Sequence, residues 1–470
     1  MFASELKSFH QNPYFKKELD INVLAQYLQY GYILEPYSIF KNAYKLKAGH
    51  YLEFDIKTNE FNIIKYWDVI DYYNQPKLNI SEVEAIEETE KLLKSAFKYR
   101  MVADVDVGVF LSGGYDSSIV TAILQSNMSK KLKTFTIGFE EEEYNEANYA
   151  KEVAKYLGTE HTEYYCTQKD ALEIIPKLPD IYDEPFGDSS AIPTVLVSKL
   201  ARKSVKVSLS ADGGDEIFGG YNKYTLTLNY FNMFSKIPLK TLISHLLSYI
   251  NPNFLPYINK TYNFETRYLK VKNILRAKNI TDVLKYISQH FTDEQLENIF
   301  INNIKRPTSN FDLNVNGDNI SKMLAIDYKT YLVDDILVKV DRATMSVSLE
   351  GREPLLDYRI IEFVSRLPSE YKIRNGEKKW LLKQIAHKYL PKDLMDRPKK
   401  GFAVPIFEWF KDELKEYLIY YLSEKRLKEI GILNYKEVLK IRDEYLNGKK
   451  INIQKLWFLL IFEMWRERWL

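Results

Sequence analysis

Glycines, serines and one aspartate are concentrated in residues 112–118 (SGGYDSS), directly after a short apolar run. Glycines let backbone N–H groups approach an anion closely, and hydroxyl groups and a helix N-terminus add donors for phosphate oxygens. Asp116 would repel a bound phosphate unless a cation lay between them, and Mg²⁺ commonly joins carboxylates to phosphates. The segment therefore predicts a loop that binds a magnesium nucleotide.

A second loop, residues 209–221 (LSADGGDEIFGGY), contains three carboxylates and four glycines. Clustered carboxylates repel one another unless they bind a metal or one of them keeps a proton. Asp212, Asp215 and Glu216 are therefore candidates for magnesium binding and for acid–base catalysis.

Strands that alternate with helices would position both loops. Four strands are predicted at residues 107–111, 134–137, 160–166 and 205–209, and helices at residues 117–125, 147–157, 171–178 and 194–203. This alternation is typical of an α/β fold, a parallel sheet with helices on both faces that binds ligands at the carboxyl ends of its strands. Since both loops follow strands, we expect them at the same edge of the sheet.

The rest of the chain divides into a small N-terminal part and a C-terminal half that we expect to be largely helical. The elements predicted before residue 100 are a helix at residues 23–28, strands at 50–55 and 61–66, a linker at 71–79 and, from a capping box at 81–84, a helix to about residue 99. The two strands would form a hairpin too small to be stable alone.

Composition excludes several classes of protein. The 470 residues carry 66 Lys and Arg against 64 Asp and Glu, so a net charge of +2 nominates no nucleic-acid partner. The one cysteine cannot form an intrachain disulfide, and the first residues lack a basic segment followed by an apolar run, so we expect a cytoplasmic protein. The longest apolar stretch, residues 456–462, is much shorter than the roughly 20 residues of a membrane span.

Further motifs add a family resemblance. The first loop resembles the pyrophosphate-binding loop of N-type ATP pyrophosphatases, which implies an adenine nucleotide alpha-hydrolase-like fold. Nearly the whole chain resembles the synthetase domain of the glutamine-hydrolysing asparagine synthetase family. The matching segments, besides the two loops, are residues 183–190 (DEPFGDSS), 334–345 (DDILVKVDRATM), 350–357 (EGREPLLD), 397–402 (RPKKGF) and 456–460 (LWFLL).

The resemblance implies a ligase that uses ATP and Mg²⁺ to join aspartate and ammonia through β-aspartyl-AMP. Asp212 matches a family carboxylate, often Glu, linked to the intermediate and to ammonia, and Lys399 matches a lysine that contacts phosphate during adenylation. The other implied site residues are Ser112, Gly113, Gly114, Asp116 and Ser117 for pyrophosphate, Leu111, Ile137, Ser210 and Ala211 for adenosine, and Asp116 and Asp215 for Mg²⁺.

The N-terminal part departs from the family pattern. Family members begin with a class II glutaminase domain whose N-terminal cysteine attacks glutamine, whereas residues 2–7 (FASELK) resemble only the final portion of that domain. Cys166 is expected to be a small buried residue and not a substitute nucleophile. The expected domains are a glutaminase remnant with linker at residues 1–75 and a synthetase domain at 76–470, with a nucleotide-binding core at about 100–222 and a helical remainder at 223–470.

Several alternatives stay open at this stage. The same chemistry could act on another carboxylate, such as a uronic acid of a surface glycan, because the loops do not distinguish these acceptors. An RNA-modifying enzyme with the same loop is disfavoured by the charge balance, and a non-catalytic partner of a glutaminase is disfavoured by the intact carboxylates of both loops. The sequence does not decide between free ammonia and a separate glutaminase subunit, or between a monomer and a homodimer.

Overall fold

The computed structural model describes residues 1–141, 145–250, 263–305, 311, 313–397, 406–411 and 414–470. The N-terminal elements are α1 (Ile21–Tyr30), β1 (His50–Asp55), β2 (Glu60–Lys65) and α2 (Val69–Tyr73). Strands β1 and β2 pair antiparallel, so the predicted hairpin is confirmed. The predicted linker at 71–79 begins inside α2, because Asp68 accepts a hydrogen bond from Ile70 N and caps a helix there.

The central part of the chain alternates strands and helices as predicted. Its elements are α3 (Glu82–Arg100), β3 (Val107–Phe110), α4 (Tyr115–Ser126), β4 (Lys133–Phe139), α5 (Ala147–Leu157), β5 (Glu160–Cys166), α6 (Gln168–Ile174), α7 (Leu178–Tyr182), α8 (Ala191–Arg202), β6 (Val207–Leu209) and α9 (Gly214–Phe218). The capping box is also confirmed, since Ser81 Oγ accepts from Glu84 N and Glu84 Oε2 accepts from Ser81 N. The predicted helix at 171–178 divides into α6, a 3₁₀ turn at Ile175–Lys177 and α7.

The C-terminal half is largely helical, as predicted. Its elements are α10 (Asn222–Phe234), α11 (Lys240–Leu247), α12 (Phe264–Ile274), α13 (Ile280–Ser288), α14 (Asp293–Ile299), α15 (Asn319–Lys329), a π-helical turn (Leu332–Ile336), α16 (Leu337–Met345), β7 (Glu350–Arg352), α17 (Tyr358–Arg366), β8 (Ile373–Arg374), β9 (Glu377–Lys378), α18 (Trp380–Ala386), α19 (Lys392–Met395), α20 (Ile406–Trp409), α21 (Leu414–Tyr421), α22 (Glu424–Ile430), α23 (Tyr435–Leu446) and α24 (Ile453–Trp469). Within the described ranges, no helix has the length and apolar character needed to cross a membrane.

Five parallel strands form the central sheet in the order β5, β4, β3, β6, β7. The fifth strand corrects the prediction, which placed four strands in this sheet and a largely helical chain after Tyr221. Strand β7 pairs with β6, with Glu350 opposite Val207 and Arg352 opposite Leu209. A three-residue segment with two charged side chains has no apolar run to reveal it, and it pairs because the edge of β6 has backbone groups that need partners.

Helices cover both faces of the sheet, so the predicted α/β class is confirmed. Phe135 and Ile137 of β4 pack on one face in a core that includes Ile192 and Val195 of α8. On the other face, Val109 of β3 packs in a core formed with α3 and α4. Strand β4 is buried along almost its whole length, as expected for a parallel strand that is covered on both faces.

Helix α24 joins the N-terminal part to the α/β region. Tyr27 of α1 donates a hydrogen bond from its hydroxyl to Phe458 O at 3.0 Å. Gly31 and Gly187 both pack against the Phe458 ring, where an added Cβ on either would lie 2.6 Å from a ring carbon. Gly187 N also donates to Gly31 O at 2.7 Å. These contacts hold the segment at 183–190 in place next to the sheet.

Candidate active site

A cavity of about 760 Å³ opens at the carboxyl ends of β3, β4 and β6. Lys399 lies outside the described residues. All the other predicted site residues lie in the cavity wall, namely Leu111, Ser112, Gly113, Gly114, Asp116, Ser117, Ile137, Ser210, Ala211, Asp212 and Asp215. The structure therefore brings both predicted loops into one cavity.

The first loop is held in shape by its own serines. Ser112 N donates to Ser117 Oγ at 3.1 Å, and Gly114 N donates to Ser112 Oγ at 3.3 Å. Gly113 has a φ of +75°, and a Cβ there would lie 2.7 Å from Ala150 N, so a larger residue would be strained. The N-cap residue of helix α4 is Gly114, which has no capping side chain, so the first N–H groups of the helix are suited to bind a phosphate.

Asp116 and Asp215 converge on one ammonium group. Lys379 Nζ pairs with Asp116 Oδ2 and lies 2.6 Å from Asp215 Oδ1. Burial opposes the charged form of Lys379, but the two carboxylates raise its pKa above the ordinary value.

The same two carboxylates fit a magnesium ion. They come from different loops yet reach a single cation, and Mg²⁺ usually binds through one or two carboxylates together with substrate phosphates. Gly214 makes room for this arrangement, since a Cβ there would lie 2.5 Å from Asp116 Oδ1. No cluster of three or more His, Cys, Asp or Glu side chains suited to a metal occurs in the part of the chain that the structure describes. A metal held here would thus depend on phosphate or water for its other ligands.

A second ion pair, Asp188 with Lys339, also lies in the cavity wall. Lys339 Nζ is 2.9 Å from Asp188 Oδ2, and Ser190 donates its N–H and its hydroxyl to Asp188 Oδ1 at 2.9 and 2.8 Å. Burial opposes the charge on Asp188, but Lys339 and Ser190 hold its pKa below the ordinary value. Burial and the charge of Asp188 together raise the pKa of neighbouring Asp335 far above the usual range. The charged form of Asp188 is therefore favoured, whereas the protonated form of Asp335 is favoured.

Asp212 is electrostatically linked to both ion pairs. Burial raises its pKa, the charges of Asp215 and Asp188 raise it further, and Lys339 lowers it. Ser210 Oγ donates to Asp212 Oδ2 at 2.5 Å. A carboxyl in a cavity whose pKa is raised in this way is a candidate for proton transfer.

Glu216, the third carboxylate of the second loop, is buried beside the cavity. Burial and then the charge of Asp215 raise the pKa of Glu216 to about 8. The Tyr221 hydroxyl donates to Glu216 Oε1 at 2.8 Å. Because Glu216 keeps its proton at neutral pH, it is less suited than Asp215 to bind a metal.

Among the charged cavity residues that were not predicted as site residues, four contact the first loop, the proposed magnesium ligands or each other: Asp188, Lys339, Lys379 and Arg397. Arg397 contacts Gly113 O through Nη2. Three of the four lie in segments that carry the family resemblance, so the motif matches were the available signal for them. Lys379 is the second residue of a Lys–Lys pair in a turn, and such a pair is usually exposed to solvent. No motif in the sequence therefore indicates that Lys379 belongs to the site.

Two family models match the chain. Residues 88–467 match the model described as asparagine synthase, and residues 1–67 match the model described as glutamine amidotransferase domain. The first match contains every cavity residue named above.

Named relatives match over most of the chain. Glutamine-hydrolysing asparagine synthetase 1 of Bacillus subtilis is 30% identical over 473 residues, which cover 99% of this chain and 71% of the relative. A putative glutamine-hydrolysing asparagine synthetase of Mycobacterium tuberculosis is 29% identical over 464 residues, or 96% of this chain and 68% of the relative. A putative enzyme of the same name from Methanocaldococcus jannaschii is 37% identical over 357 residues, or 73% of this chain and 65% of the relative.

Proposed function

Because the chain belongs to the asparagine synthase family of AMP-forming carbon–nitrogen ligases, we propose that it converts aspartate to asparagine in two steps. In the first step, the β-carboxylate of aspartate attacks the α-phosphorus of ATP, and pyrophosphate leaves. In the second step, ammonia attacks the acyl carbon of β-aspartyl-AMP, and AMP leaves. The observation that best supports this proposal is the single cavity that joins the two loops.

The first loop is the proposed binding site for the pyrophosphate of ATP. Backbone N–H groups at the start of α4 and the Ser112 and Ser117 hydroxyls supply hydrogen-bond donors of the kind that bind phosphate. Asp116 and Asp215 would hold Mg²⁺, which supplies positive charge to the phosphates. Lys399 would contact phosphate as the charge on the leaving pyrophosphate develops, and preorganised charges stabilise such a transition state.

Leu111, Ile137, Ser210 and Ala211 are the proposed adenosine-binding residues, since they line the cavity beyond the phosphate loop. Asp212 is the proposed base that takes a proton from the attacking ammonia. Its raised pKa supports this role, because a carboxylate with a higher pKa is a stronger base.

The proposed nitrogen source is free ammonia or a separate glutaminase subunit. Burial, together with the charge of Asp170, raises the pKa of Cys166 to about 12, so this thiol is poorly suited to attack glutamine. We also propose that residues 1–75 form a glutaminase-like remnant and linker, and residues 76–470 the synthetase domain.

Isotope transfer tests the proposed chemistry. The protein is incubated with ATP, Mg²⁺, an ammonium salt and L-aspartate that carries ¹⁸O in its β-carboxylate. One ¹⁸O should appear in the phosphate of AMP, since the carboxylate oxygen stays on phosphorus when ammonia displaces AMP. ADP with labelled inorganic phosphate would refute adenylation. Pyrophosphate release with glucuronate but not with aspartate would instead favour the uronic acid alternative.

A further inference from the structure

We propose that Lys379 is a built-in counter-ion that occupies the place of the magnesium ion between Asp116 and Asp215 until the metal arrives with the nucleotide. This inference rests on the proposed function, because it takes these two carboxylates as the magnesium ligands. It adds a positioning residue to the site and an order of binding.

The position of Lys379 is specified by its surroundings. Its side chain is 8% exposed, and its ammonium contacts both carboxylates. Gly220 makes this possible, because a Cβ at that position would overlap Lys379 Cε and Asp215 Oδ1. Lys379 itself has a φ of +56°, a left-handed conformation that is uncommon for a lysine and that persists only where its surroundings enforce it. These contacts thus hold the Lys379 ammonium between the two carboxylates.

Lys379 lies where it can offset the repulsion between the Asp116 and Asp215 carboxylates. Two carboxylates this close repel each other unless a cation lies between them. The Lys379 ammonium contacts both of them, offsets this repulsion and joins the two loops. The loops are therefore ordered before the nucleotide binds.

The same contact makes binding of the metal alone unfavourable. A free divalent cation must displace a buried ammonium group that has no other carboxylate contact among the ion pairs of the described residues. A nucleotide changes this balance, since its phosphates bring the metal and also offer the displaced ammonium new acceptors. We therefore infer that the metal enters as its nucleotide complex.

Manganese binding to the nucleotide-free protein tests the inference, with the fall in the electron paramagnetic resonance signal of free Mn²⁺ as the readout. Lys379→Met should bind Mn²⁺ on the order of tenfold or more tightly than the wild type, because one competing charge is gone. Lys383→Met is the matched control. It removes the same charge from the same cavity wall, but Lys383 pairs with Glu377 at 3.0 Å, so its Mn²⁺ affinity should stay within about twofold of wild type.

Two further variants keep the test valid if Lys379→Met misfolds. Lys379→Gln keeps a hydrogen-bond donor without the charge and should also bind Mn²⁺ more tightly if Lys379→Met does not fold. Lys379→Arg keeps the charge and should bind it as weakly as the wild type.

Further titrations with α,β-methylene-ATP separate the possible failures. If the wild type binds Mn²⁺ with the nucleotide but neither neutral variant binds it more tightly without one, the counter-ion role is refuted and the metal ligands stand. If no protein binds Mn²⁺ even with the nucleotide, the proposed metal ligands are wrong, and the inference fails with them.

Discussion

Replacing Lys339 with methionine should make the stability of the protein depend steeply on pH. Lys339 on α16 pairs with Asp188 at 2.9 Å, and the two side chains are 11% and 18% exposed. The substitution keeps the length and apolar part of the side chain. It removes the one charge of Lys339, which acts on Asp188, Asp335 and Asp212 together. Loss of one partner of a buried ion pair typically costs about 3 to 5 kcal/mol, and we expect about 3 kcal/mol at pH 7.5 because both groups retain slight exposure.

The sign of the pH effect follows from the pKa of Asp188. In the wild type this pKa is lowered, so the stability that Asp188 contributes is present above its unfolded pKa of about 3.9 and is lost only as pH falls through the folded value. Between pH 5.5 and 7.5 that contribution is constant. In Lys339→Met the folded pKa should instead rise above the unfolded value, and stability should fall by up to about 1.4 kcal/mol per pH unit until the carboxyl ionises.

Urea unfolding followed by tryptophan fluorescence at pH 5.5 and pH 7.5 measures this effect. The loss of unfolding free energy should be smaller at pH 5.5 by about 1 to 2 kcal/mol. Asp188→Asn should cost less, about 1 kcal/mol, because Asp335 can ionise beside Lys339 once the charge of Asp188 is gone. A Lys339→Met loss that is equal at the two pH values, or below about 1 kcal/mol at both, would refute this reasoning.

Three further predictions concern activity and pH. Asp116→Asn and Lys399→Ala should each slow pyrophosphate release about a hundredfold or more, while the circular dichroism spectrum stays unchanged. Asp106→Asn, at an exposed site, is the control and should have no effect. Near-normal release in either of the first two variants would remove that residue from the site. Glu216 has a pKa of about 8 and is neutral at pH 7, so Glu216→Gln should retain activity there. Because this pKa is raised, the wild-type free energy of unfolding should fall as pH rises from about 4.5 to 8, and Glu216→Gln should become more stable relative to the wild type over that range. Urea unfolding measures this, and a stability difference between the two proteins that does not change with pH would contradict it. Asparagine formation from ammonium salts, followed by chromatography, should increase above neutral pH because free ammonia is the nucleophile. Cys166→Ser should not affect this formation. If the wild type formed asparagine from glutamine and Cys166→Ser did not, the proposed nitrogen source would be wrong.

The parts of the fold that the sequence predicts are those set by local chemistry. The loop at residues 112–118 depends on glycines and serines that bond one another within six residues, so its composition is enough to reveal it. The capping box at Ser81 is local in the same way. Strands β3 to β6 were predicted because each lies between turn signals and forms a continuous segment of strand-forming residues.

The parts that the sequence misses depend on contacts between distant segments. Strand β7 is three residues long and exists because β6 lies beside it. Lys379 is 263 residues from Asp116, and Lys339 is 151 residues from Asp188. No periodicity or spacing can signal such pairs, because the fold alone decides which charges meet.

The sequence does, however, predict that the missing charges must exist. Carboxylates such as Asp116 and Asp215 would repel one another at close range, so their presence in two loops at one sheet edge requires cations nearby. Reasoning from the sequence assigned that requirement to a metal. The structure also brings two lysines of the C-terminal half to these carboxylates, Lys379 from the turn before α18 and Lys339 from α16. The C-terminal half therefore contributes charged residues to the cavity as well as packing for the sheet.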